Sequence, residues 1–135
     1  MSFVSIQPLE LSLLPDAIRK TLAGDMDRLG CVVSFTGIVK RQRDGKRIRL
    51  LRFGLPQDVE KRLRSVAEEA EKRHGAYQVA ILHNLDDLEP GSLVMHVVVS
   101  AERREQAFDA AREIVERIKD EIHAGAVEFC EAQEK

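Results

Sequence analysis

The stretch from Leu93 to Ser100 constrains this chain more than any other. It reads Leu-Val-Met-His-Val-Val-Val-Ser, rich in β-branched residues and too short for a globular helix. A run this apolar is a strand and belongs at the centre of a sheet. Just before it, Leu88-Glu89-Pro90-Gly91 puts Pro and Gly at the central positions that a type II turn prefers. Before that turn, Tyr77 to His83 forms a second strand. So short a connection makes the two strands antiparallel.

The rest of the chain is read around this pair. Phe3 to Ile6 is a short edge strand that Pro8 ends. Pro15 suits the first turn of a helix carrying Ile18 and Leu22, and Gly24 closes it. Gly30 to Val39 is a strong strand, with Cys31, Val33 and Phe35 on one side and Val32, Ser34 and Thr36 on the other. Arg43-Asp44-Gly45-Lys46 is a hairpin signal, and a return strand runs from Arg47 to Phe53. Its alternation slips at Leu51, which predicts a β-bulge. Pro56 to His74 is the cleanest amphipathic helix, with Val59, Leu63, Val66, Ala67 and Ala70 on its apolar stripe and Gly75 as its stop. Arg103 to Ile122 is the last helix, with Ala107, Phe108, Ala111, Ile114, Val115, Ile118 and Ile122 facing inward. Ala126 to Cys130 closes the chain as a short strand.

The order β-α-β-β-α-β-β-α-β defines an α+β fold, a mostly antiparallel sheet covered by about three helices. Residues 1–135 are read as one domain. The pattern argues against a doubly wound parallel sheet, and no GxGxxG, phosphate-loop or HExxH pattern occurs. At 44% apolar residues the chain can build a core without disulfides or metal. Charged residues make up 33%, yet the net charge is only -2, which argues against bulk binding to nucleic acid or an anionic membrane. No segment reads as a signal peptide, an anchor or a membrane span, so the expected address is the cytoplasm. Cys31 and Cys130 make no framework. Cys31 is expected to be a small buried hydrophobe.

Candidates for chemistry are mainly cationic. Six of the ten residues from Lys40 to Arg49 carry positive charge. They form either a solvated hairpin tip guarding a sheet edge, a site for phosphate or carboxylate, or a nucleic-acid patch. The last is disfavoured because no aromatic residue interleaves the charges. Arg103 and Arg104 begin the last helix, where cations oppose the macrodipole unless an anion sits nearby. Glu102 and Glu105 offer a local neutralisation instead. Lys119 lies near the end of that helix, where the dipole favours it, and its long stem can reach a cleft. The four histidines, His74, His83, His96 and His123, are scattered with no metal-ligand spacing. His96, on the apolar strand, reads as a hydrogen-bonded core residue. Asp86 and Asp87 read as turn formers. No metal and no cofactor is expected.

Taken together, the residues resemble a family, the large, catalytic subunit of molybdopterin synthase. The resemblance lies in Gly30 to Lys40, in Val79 to His83, in Leu88-Glu89-Pro90-Gly91 with Val97 to Ala101, and in Ala107 to Ala111 with Ile118-Lys119. It implies transfer of sulfur from the thiocarboxylated C-terminus of a small ubiquitin-like carrier subunit to a cyclic pyranopterin monophosphate. It also implies a homodimer of the large subunit and a site lined by arginine and lysine. Carried over by position, Lys119 matches the family lysine closest to the chemistry, and Arg104 matches a family arginine. Lys40 stands where the family has an arginine, Arg103 where it has a histidine, Asn84 where it has another arginine, and Ala126 where it has a second lysine. These departures leave two readings: a divergent synthase, with Lys119 as the reacting amine and Arg104, Arg103 and Lys40 as anion ligands, or a non-catalytic paralogue serving as a binding or regulatory module.

Overall fold

A computed structural model of the chain describes residues 2–131. The apolar run predicted to be central is strand β6 (Leu93–Ala101). It lies beside β5 (Gln78–His83) in a four-stranded sheet of order β1-β5-β6-β2, flanked by β1 (Ser2–Ile6) and β2 (Cys31–Ile38). β6 runs antiparallel to both neighbours, as its turn and composition require, whereas β1 pairs parallel with β5. The Pro90-Gly91 turn closes with Ser92 N–H donating to the Glu89 carbonyl at 3.1 Å.

β5 and β6 are buried on both faces, because helices cover the sheet from both sides. On one face, Val79, Ile81, Val97 and Val99 pack with Leu63, Val66 and Ala70 of helix α2 (Val59–His74) and with Ala107, Ala110 and Ile114 of α3 (Arg104–Arg117). On the other face, Ala80, Leu82 and Val98 meet Ala17, Leu14 and Ile18 of the short helix α1 (Leu14–Thr21). The period-2 alternation of the strands thus serves two separate cores. The expected α+β architecture of three helices on a mainly antiparallel sheet is what the chain adopts.

Several expectations are corrected. The hairpin joins β3 (Gln42–Arg43) to β4 (Lys46–Arg52), not the long strand β2 to its return. β2 spends its hydrogen bonds on β6, and the chain turns away at Val39, whose N–H donates to the Ser92 carbonyl at 2.9 Å. β4 then pairs with β7 (Val127–Cys130), giving a second small sheet of order β3-β4-β7. The two-residue loop is of the predicted kind, with Asp44 and Gly45 both at positive φ (52° and 78°). The register of β4 shifts between Ile48 and Leu50, close to the predicted bulge. α2 begins at Val59 rather than Pro56, because Asp58 takes a left-handed conformation. Phe108 is 57% exposed and leaves the buried stripe of α3, where the small Ala110 takes the inward position. Cys31 is only partly buried.

The last helix also ends differently. After Arg117 it widens into a π-helical turn, Ile118–Ile122, closed by His123 N–H donating to the Ile118 carbonyl at 3.0 Å. Beyond it, Gly125 meets Gly54 backbone to backbone. A Cβ on Gly54 would lie 2.6 Å from the Gly125 carbonyl oxygen, and one on Gly125 would lie 3.0 Å from that of Gly54. Only glycine permits so close an approach, which seats the β4 exit against the entry to β7.

Candidate functional site

A cleft of about 550 Å³ opens where these ends converge: the exit of β2, the start of β6, strand β4, the π-helical turn and β7. Its apolar wall comes from Phe35, Ile38, Leu51, Phe53 and Met95. Its charged rim comes from Lys40 just after β2, Arg43 on the hairpin, Lys119 on the π-helical turn and Glu128 on β7. Two of the predicted site residues, Lys40 and Lys119, are therefore brought together from positions 79 apart in sequence (119 minus 40). Arg43 joins them, with its Nε 2.5 Å from Glu128 Oε1.

Arg103 and Arg104 do not enter this cleft. They sit at the start of α3, while Lys119 follows its end, so roughly 22 Å of helix separates Arg104 from Lys119. The Arg104 side chain is 82% exposed, with Glu105 Oε1 3.7 Å from its Nε. The Arg103 backbone N–H donates to Gln106 Oε1 at 3.0 Å, which caps the helix. The local neutralisation by glutamate expected for this pair is thus present at Arg104.

His123, which lines the cleft, leads to a buried feature beneath it that the sequence pattern does not reveal. His83 Nε2 and His123 Nε2 lie 2.7 Å apart, and the Phe53 ring packs on both imidazoles with centroid distances of 5.5 and 5.0 Å. His83 Nδ1 lies 2.9 Å from the Asn84 carbonyl. A carbonyl only accepts, so Nδ1 carries the proton and Nε2 of neutral His83 is bare. His123 must then donate its own Nε2–H to it. Burial, and next the proximity of His123, push the His83 pKa down to about 4. Burial, and next the Lys119 charge, push His123 down to about 4 as well. The pair is neutral at physiological pH, which suits a cleft already lined by cations. Forty residues separate the two histidines, and no periodicity links a strand end to a helix end, so nothing in the sequence marks them as partners.

The remaining histidines behave as structural residues. His96 Nε2 lies 3.2 Å from the Glu10 carbonyl, and Thr36 Oγ1 lies 2.9 Å from its Nδ1. It is the hydrogen-bonded core residue expected. Asp87 is held by Arg52, with 2.8 Å between Oδ2 and Nη2, and this bond keeps its carboxyl below the usual range. Among the described residues no group of three or more His, Cys, Asp or Glu side chains could hold a metal ion, and no helix is long and apolar enough to cross a membrane.

The fold and the cleft together define an α+β protein with a cationic pocket at one end of its central sheet, made from strand, loop and helix-end residues. Residues 7–121 match the family model described as MoaE protein. The chain belongs to that family. A curated relative, the molybdopterin synthase catalytic subunit of Halalkalibacterium halodurans, is 32% identical over 92 residues, covering 67% of this chain and 59% of that protein. The chain thus spans about three-fifths of that relative's length. Among solved structures, the molybdopterin synthase of Staphylococcus aureus aligns with a TM-score of 0.77 at 23% identity, over 97% of this chain and 92% of that one. A complex of subunits 1 and 2 of the molybdopterin-converting factor of Helicobacter pylori aligns at 0.68 and 18% identity, over 96% of this chain and 83% of that one. These two likenesses are of fold.

Proposed function

We propose that this chain is the large subunit of a molybdopterin synthase and takes part in molybdenum cofactor biosynthesis. In this reading it transfers sulfur from a thiocarboxylated small ubiquitin-like subunit to a cyclic pyranopterin monophosphate. The observation that carries the proposal is the meeting of Lys40, Arg43 and Lys119 around one apolar-walled cleft. Both reactants are anionic, one through its phosphate and the other through its terminal thiocarboxylate. Bringing them together in a partly desolvated site costs Coulomb energy that three nearby cations offset. Lys40 and Arg43 bind and orient the oxyanions. Lys119 is the cleft amine whose charge reaches the buried histidine pair, and it handles the proton or stabilises charge as the carbon–sulfur bond forms. A cytoplasmic location goes with this reading.

Arg103 and Arg104 have a place in the proposal only through a second copy of the chain. Separated from Lys119 by the length of α3, they can serve the same guest only across a homodimer interface. The dimer is therefore part of the proposal, and Arg104→Ala should weaken activity without altering the cleft of its own chain.

One observation favours the second reading, a non-catalytic binding or regulatory module. Ala126 lines the cleft, offering a methyl group where the family resemblance expects an ammonium. Reconstitution separates the two. The protein is mixed with thiocarboxylated small subunit and pyranopterin precursor, and dithiolene product is measured. Product that disappears with Lys119→Ala supports the synthase. Binding of the small subunit with no product selects the module.

A further inference from the structure

Among the described residues, four charged side chains line the cleft, and only one of them is negative. Glu128 stands on β7 opposite Leu51 of β4, so its backbone is fixed by the small sheet. Its side chain is 26% exposed, against 52% for Arg43, which sits on a two-residue strand at the hairpin tip. The carboxylate is the better anchored member of the pair and the guanidinium the freer one. Their contact, Arg43 Nε to Glu128 Oε1 at 2.5 Å, directs a guanidinium donor toward an oxyanion already inside the cleft.

We infer that Glu128 is a built-in competitor for this site: its carboxylate holds Arg43, and any oxyanion entering the cleft must take Arg43 from it. The inference rests on reading the cleft as an anion site and adds what sets its affinity. A guanidinium shared with a resident carboxylate attracts an incoming phosphate or carboxylate less than a free one does, because part of its charge and one of its donors are committed. The same carboxylate also repels the guest directly. The pair then discriminates by strength. A weakly held single-charge anion does not displace Glu128, whereas a guest that also engages Lys40 and Lys119 does. A clamp that merely pins the hairpin to β7 would have no such effect on a ligand.

Calorimetric titration of the full chain at low salt tests this, with inorganic pyrophosphate as the phosphate probe and succinate as the carboxylate probe. Glu128→Gln keeps the shape of the side chain and removes its charge. It should bind at least one probe about two- to fivefold tighter than the unmodified protein, and adding Arg43→Gln should abolish the gain. The probe showing the larger gain identifies the preferred oxyanion. Equal or weaker binding of both probes by Glu128→Gln overturns the inference. A second measurement needs no variant: in the unmodified protein, pyrophosphate should shift the Arg43 Nε–H resonance as the bond to Glu128 breaks, and an unmoved resonance at saturation also overturns it. The underlying reading fails separately, if Lys40→Ala and Lys119→Ala leave probe affinity unchanged.

Discussion

His123 donates its Nε2–H to the bare Nε2 of His83 across 2.7 Å, and His83 passes its own Nδ1–H to the Asn84 carbonyl. The direction of both bonds is set by one carbonyl that can only accept. The strand end of β5 is thereby joined to the far end of the π-helical turn that carries Lys119. The pair links the most buried part of the sheet to the cationic rim of the cleft.

This linkage makes stability depend on pH with a definite sign. Both imidazoles ionise near pH 4 in the folded chain and near their ordinary value of 6.5 when unfolded. Between those values the unfolded chain binds more protons, so stability falls as pH falls from about 6.5 toward 4 and is unaffected by them above that window. The loss should approach about 3 kcal/mol for the deeply buried His83. Urea unfolding at stepwise pH checks this, and His83→Gln should flatten the profile in the same window.

Lys119 is exposed on the cleft rim, outside the core, so its removal should separate activity from stability. On the proposed synthase reading, Lys119→Ala should lower turnover by about 100-fold or more while the melting temperature stays within about a degree or two. Lys40→Ala should act mainly on substrate affinity. Steady-state kinetics of reconstituted enzyme would show the division between kcat and KM.

Gly54 and Gly125 should tolerate no side chain. A Cβ on Gly54 falls 2.6 Å from the Gly125 carbonyl oxygen, and backbone on both sides leaves nothing flexible to yield. Gly54→Ala is expected to cost about 1–3 kcal/mol in denaturant unfolding. It should also disturb the cleft, because Phe53 beside it covers both histidines.

Glu113 on α3 holds the helix layer together from a largely buried position. It accepts from Arg73 and from His74 Nε2, the latter at 3.2 Å, and both donors end α2. Burial alone would raise its pKa, but the bonds from Arg73 and His74 outweigh it and hold the carboxyl below the usual range. Glu113→Ala should destabilise the chain by about 1–2 kcal/mol, measured by urea midpoint, and should leave the binding of probe anions in the cleft unchanged.

Much of this architecture is legible in the sequence because it rests on local rules. The run Val97-Val98-Val99 has no half-polar alternation, and only a strand covered on both faces can use it. Asp44-Gly45 dictates a two-residue turn through positive φ, and Gly75, at φ 68°, ends α2 where its pattern stops. The hairpin's partners are not legible, because β2 and β4 each carry a strand pattern that could pair with several strands. Competition for hydrogen bonds, won by β6 over β4, is a property of the whole sheet. At the site, Lys119 stands out because a cation near a helix end is visible in sequence, whereas Lys40 is singled out from the basic run only by the family resemblance. Arg103 and Arg104 group with them by charge alone, and the rigid length of α3 separates them. The His83–His123 pair has no sequence signal, because its geometry depends on where a π-helical turn delivers one ring.

That turn has a consequence of its own. Ile118 is anchored in the core, and the path from its carbonyl to the N–H of His123 is longer by one residue than an α-helical turn would need. The spatial relation of Lys119 to His123 is therefore written in the number of residues as much as in their identity. Excising Asp120 would keep every side chain that lines the cleft, yet it would let the turn close as an ordinary α-helical one and shorten the spacing of Lys119 and His123 from four residues to three. A gene that lost that single codon would still encode every rim cation, yet it would set Lys119 and His123 in a different relation at the helix end.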